Sequence, residues 1–256
     1  MSRPAPSPFY TLRGAGGPLN TLHFSCHGGD SPLLFSGSGK GAIHIWNLNT
    51  RRTEKIVEGH AGSSVIWVST LQATDTLISQ GRDMQVCLWD LSESRSEVVD
   101  SVWTGSVGFC QCSMLETSPR NYLLAFAGQQ SEEIKIIELP SKTPVCTLVP
   151  DAKLGMVMCI KLWQIQECVT LVNPGVSQLC IRGDGKLLAS AGWDHRVRVF
   201  GWKKLRPLAV LQYHTDMVQS VAFSDHQDPK ERLLAAGSKD QRISLWSIYN
   251  EGADTG

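Results

Sequence analysis

One pattern recurs along this chain and limits what it can fold into more than its length does. An apolar run meets a short turn rich in Gly, Asp or Lys. Alternating residues follow, then an aromatic and a short apolar end. The copies are LLFSGSGKGAIHIWNL (33–48), TLISQGRDMQVCLWDL (76–91), LLASAGWDHRVRVFGW (187–202) and LLAAGSKDQRISLWSI (233–248), with a weaker one, LLAFAGQQSEEIKIIEL, at 123–139. Repetition at this period marks solenoids, propellers or arrays. Each copy reads as two strands and a tight turn, because runs such as Val86-Cys87-Leu88-Trp89 and Ile243-Ser244-Leu245-Trp246 are β-branched and aromatic. A strand precedes each hairpin, as in Val218–Phe223, and another follows it, as in Leu208–Leu211. One four-stranded sheet cannot bury both faces, whereas several stacked radially can. No segment holds a 3.6-residue period, so little helix is expected.

Composition narrows the class further. Of the 256 residues 42% are apolar and 19% charged, which is globular rather than disordered. Twenty-four basic residues balance 24 acidic ones, so neither nucleic acid nor a membrane surface is expected as partner. No apolar run is long enough to span a bilayer. The opening MSRPAPSPFY has no apolar core of a secretory signal. The eight cysteines form no CxxC pair, and most sit in apolar runs such as Met158-Cys159-Ile160. They read as reduced core residues of a cytoplasmic protein, with the nucleus as a second compartment.

Gly59-His60 before the second copy and Trp89-Asp90 at its end carry a resemblance to the WD-repeat family. The resemblance implies an all-β WD40 β-propeller, with a His, a strand Ser, a turn Asp and the Trp hydrogen-bonded inside each blade. The second repeat supplies His60, Ser79, Asp83 and Trp89. The last supplies His214, Asp240 and Trp246, with Ala236 in the Ser place. The fourth supplies Ser190 and Asp194, with Phe200 for Trp and no His. The first has Ser36 and Trp46 but Lys40 in the Asp place, and the third has none of the polar residues. Such a set is structural, since buried polar groups need partners.

Within the family, segments such as LFSGSGKGAIHIWNL, VDSVWTGSVGFC and SAGWDHRVRVF resemble the beta-subunit-like group that includes the ASTRA-associated WD-repeat proteins. That resemblance implies a non-catalytic adaptor. Its partners would be a co-chaperone complex that matures phosphatidylinositol 3-kinase-related kinases, and those kinases themselves, hence DNA-damage signalling. A G-protein beta role with a gamma subunit is not expected, because no N-terminal coiled-coil pattern precedes the first strand. A peptide or histone-tail reader is the alternative.

The blade count does not close. The aromatic or apolar ends of the hairpins are Trp46, Trp89, Ile137, Phe200 and Trp246, and the interval from Ile137 to Phe200 is too long for one repeat and too short for two. Within it, 155–163 reads as a first strand and Cys168–Val172 as an outer strand, with no hairpin between them. The expectation is five full four-stranded blades plus a two-stranded remnant. A seven-bladed parent needs roughly 280–315 residues at 40–45 per blade. Either an internal segment near Gln164 has been lost, as by alternative splicing, or one blade of a six-bladed ring is degenerate; the spacing favours the first. A single domain over 9–249 is expected, between a disordered Pro-rich tail at 1–8 and a flexible tail at 250–256. Strand 9–14 would close the last blade, which lacks an outer strand of its own, because an open ring leaves an exposed edge.

No catalytic, cofactor-binding or metal-binding constellation is found. GSGKG (37–41) lacks the spacing of a phosphate loop and has Gly41 where Ser or Thr should follow the Lys. There is no GxSxG and no HExxH, and His23, Cys26 and His27 lack a fourth ligand. Arg82, Trp193 and Lys239 share one slot, just before the turn Asp in three repeats, and form a candidate partner-binding rim. Trp and Arg are enriched at such contacts.

Overall fold

The computed structural model describes residues 6–25, 33–71, 76–92, 96–107, 110–130, 132–149, 157, 159–162, 175–224, 226 and 228–250. They hold twenty strands in five antiparallel sheets of four, with two short 3-10 turns at Trp202–Lys204 and Pro229–Glu231. The first sheet is β2 (Leu19–Ser25), β3 (Leu33–Ser38), β4 (Ala42–Asn47) and β5 (Arg52–Glu58). The second is β6 (Val65–Leu71), β7 (Thr76–Gly81), β8 (Gln85–Asp90) and β9 (Glu97–Trp103). The third is β10 (Ser113–Ser118), β11 (Asn121–Ala127), β12 (Ile134–Leu139) and β13 (Pro144–Leu148). The fourth is β14 (Val176–Ile181), β15 (Leu187–Gly192), β16 (Arg196–Gly201) and β17 (Arg206–Gln212). In the fifth, β18 (Val218–Phe223), β19 (Leu234–Ser238) and β20 (Arg242–Trp246) take β1 (Tyr10–Arg13) as their outer strand.

Each sheet is a meander whose two middle strands are the recurring hairpin. Both middle strands are buried almost throughout in the first sheet, since their apolar residues meet a neighbouring sheet on either face. Sheets adhere in two ways. Clusters of buried side chains lie between the first and second, second and third, fourth and fifth, and fifth and first sheets. Side chains on or beside the first two strands of a sheet also reach polar groups of the neighbouring sheet. Asn20 donates to the Val65 carbonyl, Gln111 to that of Ile66, and Gln80 both donates to Cys110 and accepts from the Cys112 N–H. Gln178 accepts from Ser220 and from the Val221 N–H, and Ser220 accepts from the Leu22 N–H. A chain of polar ties thus runs from the fourth sheet through the fifth, first and second to the third. Among the described residues neither an apolar cluster nor such a tie joins the third sheet to the fourth.

The two-stranded remnant falls at that junction. Its outer strand, Cys168–Val172, and Gln164 lie outside the described residues. Of its first strand, residues 157 and 159–162 are described and are not in a strand; the Leu162 N–H donates instead to Ser113 Oγ at the inner edge of β10. The tail residues 1–5 and 251–256 also lie outside the described residues.

Candidate functional site

The second sheet assembles its four polar residues around the His60 imidazole. Nδ1 lies 2.9 Å from Asp83 Oδ2 and Nε2 lies 2.8 Å from Ser79 Oγ, while the Trp89 indole N–H donates to the same Oγ at 2.8 Å. With the His60 proton on Nδ1, every donor has an acceptor: Trp89 to Ser79, Ser79 to His60, His60 to Asp83. Glycine makes the room. A Cβ at Gly81 would collide with His60 Nδ1 and Asp83 Oδ1, and one at Gly59 with the Trp89 ring.

The fifth sheet builds the same arrangement from a different residue. His214 Nδ1 lies 3.0 Å from Asp240 Oδ2, as in the second sheet. Nε2 meets Ser244 Oγ at 2.8 Å, and the Trp246 N–H donates to that Oγ at 2.8 Å. Ser244 thus replaces the serine missing at Ala236, a partner that pattern matching against the hairpin's first strand overlooks. The signal was present: residues two apart in a strand share a face, so Ser244 points the way Trp246 does. Burial pushes the Asp240 carboxyl up, but the His214 hydrogen bond and charge and two backbone N–H groups outweigh it and hold its pKa low.

The other sheets compensate differently. In the fourth, Arg198 takes the place of the absent histidine and donates to Asp194, Nη1 to Oδ1 at 3.0 Å, holding that carboxyl below its usual range. Ser190 is buried nearby. In the first sheet Trp46 donates to Ser36 at 2.8 Å. Ala15 occupies the place of the loop histidine there, and His44, on the strand of Trp46, stacks on the indole at 5.7 Å. Burial lowers the His44 pKa against a smaller opposing effect of Glu58, and His44 Nδ1 has no partner.

A Ser–His–Asp order is also the geometry of nucleophilic catalysis. In the second sheet Ser79 and His60 are fully buried and Ser79 Oγ is occupied by the Trp89 N–H, so no substrate carbonyl has a path to it. Among the described residues no three His, Cys, Asp or Glu side chains converge on a metal-sized site. His23 bonds Thr70 at 2.9 Å, and Cys26 and His27 lie outside the described residues. The cysteines divide by position. Cys87, Cys110 and Cys112 are buried, and burial raises their thiols, the first two to about 11 and about 12. Cys146 and Cys159 are exposed rather than core residues; Cys146 stands on β13, which no described sheet covers.

Arg82, Trp193 and Lys239 occupy one structural slot. Their backbone N–H groups donate to Ser64, Gly175 and Met217 respectively, each the residue immediately before its sheet's inner strand. All three side chains are exposed, while the carboxylate following each is bound by His60, Arg198 or His214. The arrangement offers a rim of cationic and aromatic side chains. Among the described residues no helix is long and apolar enough to cross a membrane.

The profile of the WD domain, G-beta repeat family matches residues 166–201 and 205–247. Guanine nucleotide-binding protein subunit beta-like protein 1 of Mus musculus is 39% identical, over 96% of this chain and 97% of its own length. ASTRA-associated protein 1 of Penicillium rubens is 32% identical, over 95% of this chain and 97% of its own. The beta-propeller domain of Myceliophteria thermophila Cps50 (Swd1) superposes with a TM-score of 0.65 at 13% identity, covering 95% of this chain and 99% of that one. The alignment to the mouse protein extends over 322 residues against the 256 of this chain, a difference of 66, so that relative holds at least 66 residues with no counterpart here.

Proposed function

Because this chain belongs to the WD-repeat family, in the group of guanine nucleotide-binding protein subunit beta-like protein 1, we propose that it works as a non-catalytic scaffold for protein–protein interaction. We assign it, with its ASTRA-associated relatives, to the assemblies that mature and stabilise phosphatidylinositol 3-kinase-related kinases, and through them to DNA-damage signalling. One observation supports the scaffold reading above the rest: His60, Ser79, His214 and Ser244 are buried in hydrogen-bonded sets, while Arg82, Trp193 and Lys239 stand exposed just before the turn carboxylates. A rigid loop carrying Trp and Arg suits a protein contact. Its cationic character favours an acidic partner surface and disfavours a basic histone tail, which like charges would repel.

The test is affinity purification of this chain beside a variant carrying Arg82→Glu, Trp193→Ala and Lys239→Glu. Recovery of kinase-maturation factors by the first and their loss from the second, at unchanged melting temperature, is the expected result. Recovery by neither overturns the adaptor assignment. Equal recovery by both moves the contact away from the rim.

A further inference from the structure

No described strand lies between the third and fourth sheets, and the repeat allows each position on their facing sides to be compared with its equivalent elsewhere. On β12 and β13, Ile134 opposes Leu148; on β16 and β17, Val197 opposes Leu211 at the same register. Leu211 is 1% exposed and Leu148 is 51% exposed. Val199 is buried, whereas its equivalent Ile136 is only half-buried. The opposite bank is likewise uncovered. Leu179 and Ile181 on β14 stand at the register of Val221 and Phe223 on β18. They are 42% and 45% exposed, against 1% and 8% for those equivalents. Leu22 and Val68, at the Leu179 position of the first and second sheets, are buried too. The side chains therefore have the apolar character of sheet-to-sheet contacts but no sheet against them.

The comparisons indicate what is missing. The WD match over 205–247 begins beside β17, an outer strand, and runs through β18, β19 and β20. In the same frame the match over 166–201 begins ahead of β14, where the sequence pattern of Cys168–Val172 predicts an outer strand with no hairpin pattern of its own before it. The 66 or more additional residues of the mouse relative, with the stretch between β13 and β14, amount to about two repeats of 40–45 residues.

We propose that the apposed faces of β12–β13 and β14–β15 form an acceptor for a separate polypeptide carrying the sheets that the longer relative supplies in its own chain. Such a partner is a β-sheet segment with two apolar faces, one for Leu148 and Ile136 and one for Leu179 and Ile181. This inference rests on membership of the propeller family and is independent of the rim.

Cys146 reports on it directly. It opposes Ile136 on the open face and is exposed. The stretch of the mouse protein that aligns with no residue of this chain is co-expressed with the full chain, and Cys146 alkylation is followed by mass spectrometry. The expected result is stable co-purification at one to one and alkylation slowed by at least about tenfold, since only the dissociated fraction remains open. Leu148→Asp or Leu179→Asp, both at exposed positions, should abolish both effects, whereas Val210→Asp on β17 should not. No retention of the segment overturns the proposal. So does unmatched sequence that maps elsewhere than between the counterparts of β13 and β14, or self-association of this chain that the same Asp variants disrupt.

Discussion

At the scale of single residues, the buried hydrogen-bond sets show how one requirement is met by several side chains. A buried indole N–H, an imidazole and a turn carboxylate all need partners, and leaving one unmade costs about 1–3 kcal/mol. In the second sheet the spacing of His60, Ser79, Asp83 and Trp89 was legible in the sequence because each stands where the family pattern places it. In the fifth sheet Ala236 suggested a gap, and the structure fills it with Ser244. Strand pairing explains why: Ser244 sits directly opposite Ala236, so the hydroxyl approaches the same space from the neighbouring strand. Ser244→Ala should strand both His214 Nε2 and Trp246 Nε1 and cost about 2–4 kcal/mol. Adding Ala236→Ser should recover much of that loss, because the hydroxyl returns to the site used by Ser79. Chemical denaturation of the three proteins measures it, and an Ser244→Ala variant as stable as the parent would show that the bonds contribute nothing net.

At the scale of elements, β1 carries the greatest consequence for its size. It is four residues long, yet it pairs with β20 over its full length and places Leu12 in the cluster shared by the fifth and first sheets. The Arg51 guanidinium lies 5.5 Å and 4.5 Å above the Phe9 and Tyr10 rings, tying the same segment to the first sheet. Counting strands in the sequence suggested this role, because the last hairpin had no outer partner. The exposure of β13 was not legible in the same way. Pro144-Val145-Cys146-Thr147-Leu148 is as apolar as other outer strands, and nothing local in it records that no described sheet covers it. Deletion of residues 1–14 removes Leu12 and bares the β20 edge, so it should lower the melting temperature by roughly 10 °C or more and promote aggregation. Leu12→Ala should lose about 2–4 kcal/mol by cavity formation alone. A deletion that melts with the parent would mean that β20 does not depend on its partner.

At the scale of the whole molecule, buried clusters join the sheets along four junctions, and among the described residues none joins the third sheet to the fourth, so stability should be graded accordingly. Local opening is easiest where few apolar contacts resist it. The inner strands make a controlled comparison, since β14 and β18 have the same place in their sheets and similar pairing. They differ in what lies against them: β18 packs on the fourth sheet through Val221 and Phe223, whereas Leu179 and Ile181 of β14 face outward. Sequence could locate this weakness, because the irregular interval between Ile137 and Phe200 falls there. It could not show which faces remain bare, since that depends on the register in three dimensions. Amides of β14 should therefore exchange with solvent at least about tenfold faster than those of β18 in the native protein, the difference reflecting local opening rather than global unfolding. Exchange in β19 and β20 should approach the rate set by complete unfolding, because both are covered on two faces. Equal protection of β14 and β18 would show that the junction is closed in solution.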